Sequence, residues 1–393
     1  MARRVGSAVL VAMLATASAG GCGSDPDPDP VVRPAWSELT LPMPAGAAGR
    51  FMPRAAAACD GKWYIVGATA GADGVTQPAA WVSTDMQTWT SLTIHAESYY
   101  GKQNVIYTAG CREGRLAAVG GKVGGAHGNP RVSSWYQQPD GSLTEVRARF
   151  ELYGGPVAIN VSRMAAGPKG WMITGNRYSG AAVWTSADSA KFEILEDAPE
   201  LSSDERGETW AADVVVAPDG WLVAGGFIAA GRTDRDPMAW RSTDGVTWRR
   251  TAAPGEAEYD EFQRAAVSDD GTAYAVGLRG LKFGAWRLEG DQWQARARFG
   301  GSSGASVLSV SGLTATGEQL VTTVSDGARY AVWLSPDGGA SWRTVAAPTA
   351  MPWGANQAAS VFEADGRLLL LADEGQVGRV WRTESPLGAG PEK

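Results

Sequence analysis

The sequence predicts an all-β ring: a seven-bladed β-propeller of four-stranded antiparallel blades, with an N-terminal strand at about 35–41 closing the last blade. Three observations point there. A tryptophan recurs at Trp81, Trp135, Trp184, Trp240, Trp286, Trp333 and Trp381, and by subtraction the spacings are 54, 49, 56, 46, 47 and 48. Around each lies a strand–turn–strand unit, clearest at 80–89, 239–248 and 332–342, where an Asp or Asp-Gly turn separates two apolar stretches. The 51 glycines and 17 tryptophans suit many tight turns between half-buried strands. A period near fifty built of short strands fits a propeller, because helical repeats would carry a 3.6-residue periodicity instead.

Blade four shows the unit most plainly. Residues 212–217 read as an inner strand, Pro218-Asp219-Gly220 as a turn and 221–225 as a second strand. After a loop, 238–242 form the third strand, Asp244-Gly245 the turn and 248–251 the fourth. Blade seven lacks its fourth strand. Its third strand carries Trp381, and the chain then runs into a Gly- and Pro-rich tail at 386–393. The missing strand stands at the other end, where Ala35-Trp36-Ser37-Glu38-Leu39 resembles Trp89-Thr90-Ser91-Leu92. Closure by 36–41 removes the open edges that would otherwise pair with other chains. Trp36, Trp89, Trp248, Trp293 and Trp342 then fill fourth strands, and Trp63, Trp171 and Trp221 open second strands. Trp210 and Trp353 remain, both expected in connections between blades.

The first residues read as an address. Arg3-Arg4 precedes a short apolar run, and Ala19-Gly20-Gly21-Cys22 resembles a bacterial lipobox, in which the cysteine is lipidated and becomes the first mature residue. The expected organisation is a signal peptide at 1–21, lipidated Cys22 with a disordered Asp-Pro tether at 22–34, and one propeller at 35–385. That places the chain outside the cytoplasm, lipid-anchored in a bacterial cell envelope. An ordinary cleaved secretory peptide is the alternative. A twin-arginine signal is weaker, since Val5-Gly6-Ser7 lacks the apolar pair.

Net charge is −7, which argues against a nucleic-acid partner held by phosphate neutralisation. His95 and His127 are the only histidines, so a zinc site or histidine-based triad is not expected, and no cofactor is. Cys59 and Cys111 take nearly matching places on adjacent blades. With Cys22 lipidated they are the remaining thiols in an oxidising compartment, so a disulfide is predicted, two buried free thiols being the alternative.

Ser83-Thr84-Asp85, Ser242-Thr243-Asp244-Gly245 and Ser335-Pro336-Asp337-Gly338, each followed by tryptophan, resemble Asp-box (BNR) repeats. Weaker copies are Thr185-Ser186-Ala187-Asp188, Gln138-Pro139-Asp140-Gly141 and Glu289-Gly290-Asp291. The resemblance implies a propeller and says little of activity, since Asp-box proteins include sialidases, xyloglucan-degrading glycosidases, a photosystem assembly factor and binding receptors. It also implies that the boxes lie opposite the working face, which the second-to-third strand loops and the inter-blade connections would build.

Aligned on their turn glycines, the blades place Arg54, Tyr107, Arg163, Asp213, Arg264, Val310 and Ala359 at one position of the inner strands. Arg177 and Arg279 end second strands close by. Guanidinium groups converging on a channel mouth would grip a carboxylate or phosphate; pairing with Asp213, Asp260, Glu261 or Glu208 to pin neighbouring blades is the other reading. Sialidases hold a substrate carboxylate with an arginine triad, yet they have six blades, and Phe51-Met52-Pro53-Arg54 departs from their signature. Tyr107, Tyr259 and Tyr330 offer no assignable tyrosine–glutamate pair, and Asp213, Asp260 and Glu261 are candidate carboxyls of unknown separation. Tyr99, Tyr100, Trp210 and Trp353 are expected on loops of the same face, stacking on sugars, gripping a protein or folding back as lids. The charged runs 203–208 and 232–236 read as solvated loops. The expectation is a monomeric platform that binds a protein or glycan through its channel face; a glycan-active hydrolase using the arginine cluster is the alternative.

Overall fold

The computed structural model describes residues 31–124, 130–302 and 307–385. The expected signal peptide, Cys22, His127 and the C-terminal tail 386–393 lie outside the described residues. Seven antiparallel sheets follow one another along the chain. Their inner strands are Arg50–Cys59, Val105–Arg112, Ala158–Gly167, Gly207–Ala217, Asp260–Val267, Ser309–Thr316 and Ala358–Ala364. Each inner strand packs beside the next, and the seventh packs beside the first, which closes the ring. Blade 7 takes its fourth strand from the N-terminal end, with Ser37 opposite Arg382, Glu38 opposite Trp381 and Leu39 opposite Val380. The chain meets the ring a little before this strand. Val32 is buried and bridges Val345 in parallel, so the last residues before 35 lie along blade 6. Blade 2 carries a fifth strand, Ile94–His95, parallel to its fourth, Leu143–Glu145.

The core is divided among the interfaces between blades, and seven apolar clusters each join two neighbours. The periodic tryptophans sit in them: Trp81, Trp135, Trp184, Trp240 and Trp286 have no exposed surface. Their indole N–H groups also explain their position. Trp81 donates to Pro42 O at 2.8 Å, Trp184 to Leu152 O at 2.7 Å, Trp240 to Glu200 O at 2.8 Å and Trp286 to Pro254 O at 3.4 Å. Every one of these carbonyls belongs to the connection that leads into that tryptophan's own blade. The residue both fills the interface and ties down the incoming chain.

The hairpin turns are held from within. Ser83 Oγ donates to Asp85 Oδ1 at 3.0 Å and accepts from Met86 N, while Gln87 N and Thr88 N both donate to Asp85 Oδ1 at 2.7 Å. The same pattern recurs at Ser186/Asp188, Ser242/Asp244 and Ser335/Asp337. It needs a left-handed residue after the aspartate. Gly245 and Gly338 supply it, and Met86 and Ser189 adopt it at φ 55° and 68°. The segment Glu289-Gly290-Asp291 differs. Its ladder continues to Glu289–Gln292, and Asp291 instead pairs with Arg241 and Arg249. Near the same end of the inner strands a disulfide joins Cys59 to Cys111, with Cα atoms 5.6 Å apart.

Candidate functional site at the channel mouth

Six of the seven inner strands break their register about midway, and that of blade 3 breaks a second time between Ala158 and Asn160. The breaks fall between Pro53 and Ala55, Ile106 and Thr108, Val161 and Met164, Ala211 and Asp213, Phe262 and Arg264, and Val310 and Gly312. Blade 7 pairs without a break. A bulge carries one residue that has no partner in the ladder and re-aims its side chain. In five blades a glycine of the second strand lies opposite the break: Gly67, Gly120, Gly175, Gly225 and Gly277. A Cβ on Gly225 would come within 1.9 Å of Trp210 O, and one on Gly277 within 1.8 Å of Glu261 O. The inner strand therefore presses onto a bare backbone and turns its bulged residues toward the axis.

These bulges bring Arg54, Arg163 and Arg264 to one cavity of about 350 Å³ at the mouth, together with Tyr107, Ser311 and Tyr330. The cavity is on the face of the inter-blade connections, since Tyr330 and Ala358 both begin their strands there. The three arginines have different partners. Arg54 Nη2 meets the buried carboxylate of Asp373 at 2.8 Å, and Arg50 pairs with the same group. Arg163 and Arg264 donate to main-chain carbonyls: Arg163 to Tyr107 O at 3.3 Å and Ser311 O at 3.4 Å, Arg264 to Ser311 O at 3.3 Å and Gln263 O. Burial lowers the pKa of Arg264, and repulsion from Arg163 adds to that, against the pull of Asp213 and Glu261. Burial likewise lowers that of Arg54, opposed by Asp373. Two guanidinium groups thus share a confined space with carbonyl dipoles as their direct partners.

The other expected site residues have internal roles. Asp213 staples two blades: its carboxylate accepts from Val214 N at 2.9 Å and Ala265 N at 3.0 Å, and burial raises its pKa against the pull of Arg264 and Arg163. Arg177 is not in the mouth. It reaches Glu196 at 2.8 Å, Gly154 O at 3.0 Å and Glu151 O at 3.3 Å, holding the connection between blades 2 and 3. Arg279 is also outside it, bound to Arg296 O at 2.8 Å and to Glu256. Trp210 is a correction: it lies inside the inner strand Gly207–Ala217, opposite Gly226, and not in a connection. Trp353, Tyr99 and Tyr100 do sit in connections on the mouth face. Trp353 is 42% exposed and Tyr99 73%, and Tyr99 and Tyr100 meet edge to face. In the two charged runs Arg206 pairs with Asp204 and with Glu200, and Arg232 with Asp234 and Asp236, while Asp204 also meets Arg250 and Arg235 meets Glu261.

Two further arrangements depend on contacts that residue order alone does not pair. The first is a tyrosine–glutamate pair. Tyr259 OH donates to Glu261 Oε2 at 2.8 Å, and Arg235 donates to both oxygens at 2.8 and 2.6 Å, its guanidinium 5.2 Å from the Trp210 ring centre. Burial raises the Tyr259 pKa, and the Glu261 charge raises it further, so the phenol stays protonated. The second is a pocket of about 720 Å³ between blades 2 and 3. Val132, Phe150, Tyr153, Pro156, Ile159 and Tyr178 line it. Its wall includes Tyr107, Asn160 and Val161, which also line the mouth cavity. Arg131 lies over the Phe150 ring at 4.5 Å and the Tyr100 ring at 5.6 Å. Among the described residues, no group of three or more His, Cys, Asp or Glu side chains is placed to hold a metal.

Fold and mouth together define a seven-bladed β-propeller whose bulged inner strands build a cationic opening. No protein-family profile and no curated protein matches the chain. Solved structures do. A YCF48 structure bound to D1 peptide superposes with a TM-score of 0.52 at 13% identity, covering 89% of this chain and 95% of that one. YCF48 from Cyanidioschyzon merolae gives 0.52 at 11%, covering 89% and 98%. A GH74 xyloglucanase from Xanthomonas campestris gives 0.56 at 14%, covering 91% of this chain. The chain spans about half, 54%, of that enzyme's length. At these identities the likeness is one of fold.

Proposed function

We propose that the protein is an extracytoplasmic binding platform, anchored through lipidated Cys22, whose channel mouth receives an anionic group of a protein or glycan. The observation that carries this reading is the pair Arg163 and Arg264, held in one cavity with carbonyl oxygens as direct partners. An incoming carboxylate or phosphate would accept charge-assisted hydrogen bonds there, stronger than those it replaces. A similarly folded protein has been captured with a peptide, which favours a protein ligand among the candidates. Cleavage of a glycan is less well supported at this mouth. Asp213 and Asp373, two carboxylates beside the arginines, are engaged by amides and by Arg50 and Arg54, whereas glycoside hydrolysis asks for two carboxyls flanking a sugar bond.

The turns built on Asp85, Asp188, Asp244 and Asp337 are read as Asp-box repeats with a folding role on the opposite face. Screening acidic glycans and free-acid peptides against wild type and Arg163→Ala tests the mouth: binding should fall in the variant, and unchanged binding removes the arginine reading. Cys22→Ala should release the protein from the membrane fraction, and retention there would contradict the anchor.

A further inference from the structure

We infer that the apolar pocket between blades 2 and 3 and the cationic mouth are two halves of one site, and that it takes an extended peptide whose free C-terminal carboxylate is preceded by a large apolar residue. This rests on the mouth reading and adds the class of ligand. The halves share the wall made by Tyr107, Asn160 and Val161, so a ligand with its anion at Arg163 has its next few atoms at the pocket's edge. The pocket's size suits a side chain with part of its backbone. Phe150, Ile159 and Tyr178 are 54%, 41% and 75% exposed, an apolar rim that covering would stabilise. A sugar would find few hydrogen-bonding partners among these side chains.

The route between the halves favours a peptide backbone. It follows Ala158–Gly167, the edge strand of its sheet, whose outer groups have no ladder partner. Ile159 is a bulged residue with no opposite number, since Ala158 pairs with Arg177 and Asn160 with Asn176. The side-chain oxygen of Asn160 accepts from the Asn176 side-chain amide at 2.9 Å, which holds Asn160 in the shared wall. An edge strand is the surface to which extended peptides add. Arg131, stacked on Phe150, places a further cation beside the pocket.

The test is calorimetric titration of the mature protein with two acetylated hexapeptides of glycine and serine. One has phenylalanine and the other serine next to the free carboxylate. Wild type should bind the phenylalanine probe about tenfold more tightly. Phe150→Ser, at a half-exposed position that folding tolerates, should erase that preference and leave the serine probe unchanged; Ile159→Ser should do the same. Arg163→Met should weaken both probes by about tenfold or more. Equal affinity of wild type for the two probes, with both still weakened by Arg163→Met, would overturn this inference and leave the mouth reading standing. Probes indifferent to Arg163→Met would remove the mouth reading itself. Tighter binding of decanoate than of the phenylalanine probe, or no heat with either probe at millimolar concentration, would overturn the peptide assignment.

Discussion

The two faces of the ring use the same kinds of residue to opposite ends. On the turn face, Asp85 and Asp244 are fully exposed, yet each carboxylate is surrounded by amide donors of its own turn. Those bonds hold Asp85 down to about 2 and Asp244 lower still. At the mouth, Asp213 is buried, and burial pushes it up. The arginines differ in the same way. Arg206 and Arg232, in exposed loops, are raised by carboxylate partners beside them, whereas Arg264 is lowered by burial and by Arg163. One face has its polar groups matched locally and serves the fold. The other keeps cations in a confined cavity at some electrostatic cost, and such sites are where function is usually found.

Four predictions sharpen or break this contrast. The largest effect belongs to the turn face. Replacing Cys59 and Cys111 together by alanine opens a cross-link spanning 52 residues, and chain entropy puts the loss at about 4 kcal/mol. Urea unfolding should show it, with probe binding at the mouth unchanged in the folded protein. Next comes Gly225→Ala. Its Cβ would meet Trp210 O at 1.9 Å, so the bulge beside Asp213 must shift, at about 2–3 kcal/mol, and mouth binding should fall with stability. Full stability with unaltered binding would show that the bulge does not build the mouth.

The third prediction concerns pH. Asp85 has a folded pKa below its unfolded one, so its stabilising contribution is present above about pH 4 and lost as pH falls toward 2. Asp85→Asn should flatten the acid limb of a melting-temperature profile while changing neutral-pH binding little. The smallest stability effect is expected at Arg163→Met. It relieves repulsion with Arg264, so the melting temperature should hold or rise, by no more than about 1 kcal/mol in stability, even as ligand is lost. A large destabilisation would make Arg163 a structural residue.

Much of the ring was legible because its determinants are periodic. The tryptophan spacing marks third strands, and the likeness of Trp36 to Trp89 marks the strand that closes blade 7. Arg54, Arg163 and Arg264 were found by alignment of inner strands, and they do share one cavity. The bulges that put them there were not found, because a bulge is a mismatch in count between two strands and one strand shows no trace of it. The visible sign was the second-strand glycine, Gly67, Gly120, Gly175, Gly225 or Gly277, which only makes sense once its partner is known. Trp210 reads as part of a connection because the inner strand of blade 4 starts at Gly207, with Glu208 and Trp210 on one side, a beginning that resembles loop. Arg177 and Arg279 end strands at the right height, but their long side chains turn outward to the connections. The pocket between blades 2 and 3 draws on the second and third blades together, and a blade-by-blade reading does not assemble it.

The central question is whether the mouth holds a negative charge. The direct measurement compares one hexapeptide with phenylalanine next to its C-terminus, offered to the wild-type protein as the free acid and as the amide. The free acid should bind about tenfold or more tightly at low salt, with the gap narrowing as salt is raised. Equal affinities of acid and amide at low salt would contradict it.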